Sequence, residues 1–283
     1  MTLTIENHYI WDLVLHCLAH LKVDNDSNLY SNKYIEKIKK AKNEFGIEDT
    51  LEHEMAKLHD IYCAKFEKFA LINFIPFYAN TINELKNILL GIQSFNEEDK
   101  QEFVLPLIKI LGKENIFYRK YYDEMMINSD SINQRFLSQL KDIICKVKSL
   151  SEKISYPIIV YLQLSMTKAG RAFSKDDVFV AAVSYPFSNE SVTNSVIQAI
   201  HEITHRYTDP LLGTELSMRD DTHMKAEKFV ILANFFLYKK YIPQLLEQYC
   251  HYFAIKGIKL EDVLEKYPLG SKEVDQIIRF FDL

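Results

Sequence analysis

Two histidines one helical turn apart, His201 and His205, with Glu202 beside the first, restrict this chain more than any other stretch of it. They lie in a run from Ser188 to Tyr207 in which Val192, Val196, Ile197, Ala199, Ile200 and Ile203 recur at three- and four-residue steps, which predicts an amphipathic helix. Residues at i and i+4 share one helix face, so both imidazoles reach a single ion, while Glu202 is turned about 100° away. Zinc takes neutral nitrogen donors at about 2.0 to 2.1 Å, and a catalytic site keeps one position for water that a neighbouring carboxylate deprotonates. Glu202 is placed for that task. The competing reading is a pair of core histidines bonded to backbone carbonyls, with Glu202 solvated or paired.

A third protein ligand has to come from downstream. Asp209 follows His205 closely and precedes Pro210, where the helix must stop, so it binds only by folding straight back. Glu215 sits in the loop around Gly213. Glu227 stands near the start of a second predicted helix, Thr222 to Lys240, after Asp220 or Asp221 as cap. Phe229, Val230, Ile231, Leu232, Phe235, Phe236 and Leu237 make that helix apolar on most sides, so it is expected in the core with Glu227 turned toward something positive. An exposed first-turn acid favoured by the helix dipole is the plainer alternative for Glu227, and His223 is a rival ligand.

On these residues the segment from about Tyr156 to Tyr241 resembles the zincin metallopeptidases, and more narrowly the gluzincins, in which two motif histidines and a glutamate on a later helix hold zinc. The resemblance implies His201, His205 and Glu227 as metal ligands, Glu202 as the general base and a peptide or protein substrate. It departs from the thermolysin-like branch, which carries Asn-Glu-x-x-x-Asp around its third ligand: here Ala226 precedes Glu227, and Ile231 stands at the aspartate position. Leu211 occupies the place of the metzincin histidine, and the Glu-Gly-Cys strand of peptide deformylases is absent.

Composition bounds the remaining possibilities. Hydrophobic residues make up 48% and charged residues 26% of 283, an ordinary globular mix, and no apolar run reaches the roughly 18 residues a membrane span needs. Cys17, Cys63, Cys145 and Cys250 are scattered without a Cys-x-x-Cys pair, as expected of reduced thiols. The sequence from Met1 to His8 carries no basic region leading into an apolar stretch, so the expected location is cytoplasmic. Residues 1–153 hold 20 basic and 23 acidic side chains and the remainder 14 and 16, leaving no basic stripe for nucleic acid.

The expected fold is mainly α with a small sheet: a helical region over 1–153, then a zincin-like α+β region over 154–283. Helical spacing covers Tyr9 to Leu21, Lys33 to Glu44, Glu52 to Phe69, Ile82 to Leu90, Lys100 to Leu111 and Ile132 to Leu150, with Gly46, Gly91 and Gly112 as punctuation. His16 and His20 repeat the i, i+4 spacing but lack the intervening carboxylate, and read as one face of a packed helix. Ile158 to Leu162 and Val178 to Val183 read as strands, with Ser188 as cap of the motif helix and Glu190 in its first turn. The second strand is expected to lie at the sheet edge, where a substrate backbone pairs with it. Gln244 to Ile255, Leu260 to Tyr267 and Lys272 to Phe281 complete the chain as short helices. Tyr207, His223, Tyr238, His251 and Tyr252 are the candidates to steady an oxyanion. Two other function classes remain: a zincin-like protein that binds zinc as a non-catalytic interaction module, and a metal-free helical protein in which the motif is accidental.

Overall fold

The computed structural model describes residues 2–21, 32–127, 129–167, 170–187, 189–212 and 220–283. It is mainly helical, with one small mixed sheet in the strand order β1-β2-β4-β3. The strands are β1 (Leu3–Glu6), β2 (Ile158–Gln163), β3 (Arg171–Lys175) and β4 (Val178–Ser184).

Two strands were not visible as periodic runs. β1 lies in the stretch read as helical throughout, and it pairs in parallel with β2, Leu3 opposite Ile158. A parallel pair needs a crossover connection, and here the crossover is the whole helical half. The division at residue 153 therefore does not separate two packed units. One apolar core runs from Leu18, Leu107 and Phe117 through Val180, Ile197 and Phe235 to Phe281. β3 comes from the polar stretch and pairs antiparallel with β4, Phe173 opposite Val180. It holds the edge expected of Val178–Val183, whereas β4 is paired on both sides, in parallel with β2 and antiparallel with β3. The near-continuous apolar run of β4 is the mark of an interior strand.

Most of the expected helices form. Gly112 does not punctuate: Leu105–Met126 passes through it, because buried Leu107, Leu111, Phe117 and Tyr118 hold one face on the core. The motif helix is Asn189–Thr208, preceded by Ser188, which lies outside the described residues, as does the side chain of Glu190. The helix carrying Glu227 spans Asp220–Tyr241; the side chains of its proposed caps, Asp220 and Asp221, also lie outside the described residues. Among the described residues no helix is long and apolar enough to cross a membrane.

Candidate metal centre

The motif helix is held on its apolar side, where Val196, Ile197, Ile200 and Ile203 are buried against β4 and the helix Ser129–Lys146. That leaves the turn bearing His201 and His205 to face the Glu227 helix. Phe229, Val230, Leu232, Ala233 and Phe235 bury that second helix as its composition predicts. Register between the two is set by a buried polar contact: Thr204 donates to the side-chain oxygen of Asn234 at 2.9 Å. Asn234 and Glu227 are seven residues apart and share a helix face, so this contact also carries Glu227 to the imidazoles.

Donor atoms of three side chains converge. His201 Nε2 lies 3.1 Å from Glu227 Oε2 and 3.2 Å from His205 Nε2, and His205 Nε2 lies 3.3 Å from Glu227 Oε1. A tetrahedral ion with bonds of about 2.0 to 2.1 Å separates its ligands by about 3.3 to 3.4 Å, so each of these spacings is close to what such an ion needs. The opposite nitrogen of His205 is engaged: Nδ1 is 3.0 Å from Asp209 Oδ1. With Nδ1 donating, a neutral ring presents a bare lone pair at Nε2, aimed at a second imidazole and a carboxylate. A positive charge there, a proton on Nε2 or a metal ion, resolves that crowding. His201, His205 and Glu227 could hold a metal ion, and no other such group occurs among the described residues.

Electrostatics agree with the geometry. Burial alone would raise the Glu227 pKa, but the two imidazoles outweigh it and hold the carboxyl well below its ordinary value. Burial would lower His205, yet Glu227 and Asp209 hold it well above the ordinary histidine range. Glu202 is raised, chiefly by burial, against the opposing pull of His201 and His205. A carboxylate so placed is a stronger base than one in water. Its cover is the backbone entering β3: a methyl group at Gly170 would overlap the Glu202 side chain, so close approach requires glycine there.

Among the other candidates, Asp209 orients His205. His223 is exposed, 3.8 Å from Glu227 Oε1 and outside the convergent group. Glu215 lies outside the described residues. Tyr207 is bonded to Tyr156 at 2.7 Å, Tyr238 is fully buried in a stack with Tyr249, and His251 is exposed. Tyr252 lies close enough to Glu202 for that charge, after burial, to raise its phenol. Its neighbour Phe253 tilts over the His201 ring at 5.1 Å. Asp209 had a legible signal, the i, i+4 spacing from His205; Gly170 had none. Comparison with protein-family models, curated proteins and solved structures finds no match for this chain.

Proposed function

We propose that this chain is a zinc-dependent peptidase, on the convergence of two imidazole nitrogens and one carboxylate with the Glu202 carboxylate beside them. The donor set of two histidines and a glutamate is one that zinc takes in catalytic sites. A bound zinc ion supplies Lewis acidity that acidifies water and polarises a carbonyl. His201, His205 and Glu227 hold it, and Asp209 keeps the His205 ring turned to it. Glu202 accepts a proton from the attacking water and returns it to the leaving amine. β3 offers its unpaired edge to an extended peptide backbone, replacing the strand first expected in that role. Tyr252, whose phenol is raised by burial and then by the Glu202 charge, donates to the developing oxyanion. The location that goes with this reading is the cytoplasm.

The test is zinc content in wild type, His201→Ala and Glu227→Ala, followed by a peptide-library screen of wild type and Glu202→Gln. About one zinc per chain, lost in His201→Ala and weakened in Glu227→Ala, is expected. Glu202→Gln should keep its zinc and lose about 10² to 10⁴ in hydrolysis. Retained turnover in that variant would remove Glu202 from its role. One observation favours a second reading, a zinc-binding interaction module: Glu202 is 7% exposed beneath the start of β3. Stoichiometric zinc with no cleavage anywhere in the library would select it.

A further inference from the structure

Beside His205 lies an open hollow of about 350 Å³. Its apolar walls are Ala172 on β3, Phe179 from the start of β4 and Pro210 just after the motif helix, with the β3 backbone at Phe173 between them. The walls are braced from behind. Phe179 packs against Tyr156 at 6.2 Å, and the Phe173 ring, on the opposite face of β3 from Ala172 and Ser174, packs edge-on against Trp11 at 6.0 Å and Phe77 at 5.2 Å. A preformed hollow of this volume is in the range that accommodates small-molecule groups.

Its rim is charged on one side. Arg206 is exposed, donates to Ser174 Oγ at 2.7 Å, and stands 5.3 Å from the Tyr156 ring. Among the described residues it forms no ion pair with a carboxylate. Asp209, the one acid lining the hollow, is turned to His205 Nδ1 at 3.0 Å. Apolar walls, a guanidinium without a carboxylate partner and a metal ligand therefore share one space. A guanidinium binds a carboxylate through two parallel hydrogen bonds, which makes it a selective reader of that group.

We propose that this hollow receives the C-terminal residue of a peptide, its large apolar side chain against Ala172, Phe179 and Pro210 and its free carboxylate on Arg206. The proposal rests on the peptidase reading and gives it a substrate class: chains ending in a large apolar residue, trimmed from that end. It is tested by saturation-transfer NMR titration of the intact, zinc-loaded protein with N-acetyl-phenylalanine, N-acetyl-phenylalanine amide and N-acetyl-alanine. The first probe should bind at least tenfold more tightly than the other two. Ala172→Val, which narrows the hollow, should erase the preference for phenylalanine over alanine. Arg206→Gln, an exposed change, should erase the preference for acid over amide while leaving the side-chain preference. Equal binding of all three probes would overturn the proposal, as would an acid preference that survives Arg206→Gln but disappears on chelation. Binding is read without turnover, so the two failures separate. Both preferences with no cleavage of any peptide would sink the peptidase and keep the pocket; cleavage with neither preference would do the reverse.

Discussion

The chain carries two histidine pairs at the same spacing, and they do opposite things. His16 and His20 meet edge-on at 5.2 Å and 75°, His201 and His205 at 4.9 Å and 83°, and a glutamate from another helix approaches each pair. Around the first pair each nitrogen that bonds has its own partner: His16 reaches Tyr34 at 2.8 Å and Glu114 at 2.9 Å, and His20 reaches the His16 carbonyl at 3.0 Å. The Glu114 charge is met by buried Lys42 at 2.8 Å, which also pairs with Asp49. Around the second pair the nitrogens converge with Glu227 on a common point, and among the described residues no lysine or arginine pairs with that carboxylate. The first cluster has its cation built into the chain; the second has a place for one. Spacing alone does not make a metal site, and the position of the compensating charge decides.

The strongest way to break that contrast is at Lys42. Lys42→Met leaves Glu114 charged and buried without its cation, a loss of about 3 to 5 kcal/mol in urea denaturation, indifferent to added zinc. Recovery of that stability by zinc would mean that the first cluster also binds metal.

A change of pH should act on the two pairs with opposite sign. Burial, reinforced by His16, lowers His20 from 6.5 to about 4, so the unfolded chain takes up the proton first. Its contribution is present above pH 6.5 and is lost as pH falls toward 4, by about 3 kcal/mol, and His20→Gln should flatten that limb. His205, raised in the metal-free protein, contributes below pH 6.5 and fades as pH rises through its folded value. Denaturation at pH 4 and 7 in chelator, for wild type, His20→Gln and His205→Gln, reads both signs; the same sign in both would contradict the assignment.

Zinc at a hundredfold excess over its Kd should stabilise wild type by about 2.7 kcal/mol and leave His201→Ala unmoved, readable as a shift in Tm. The smallest effect is expected at the register contact. Asn234→Ala removes one hydrogen bond from the buried Thr204 hydroxyl, which keeps the Ile200 carbonyl at 2.7 Å, costing about 0.5 to 1.5 kcal/mol, and should weaken zinc binding although Asn234 lies outside the convergent group. Unchanged zinc affinity in that variant would free Glu227 from dependence on helix register.

What could be read in advance divides along the same line. His201, Glu202 and His205 declare themselves because a helix turns their spacing into adjacency, and Glu227 because an acid in a run of Phe, Val, Ile and Leu needs a partner. Lys42 and Glu114 could not be paired in advance, since 72 residues separate them and each looks like a surface charge. β3 was missed because Arg171, Ser174 and Lys175 give it no apolar alternation, and its placement moved the sheet edge away from Val178–Val183. β1 is four residues long, and only its pairing partner makes it a strand.

That partner sets a timetable for synthesis. Leu3–Glu6 leaves the ribosome 155 residues ahead of the strand it must join. At about 5 to 20 residues per second, it waits roughly 8 to 30 seconds with its backbone groups unclaimed while the helices between them emerge. The sheet beside the motif helix is therefore among the last parts of the molecule that can close, and a nascent chain arrested before Ile158 has its helical half but not the surface on which that helix rests.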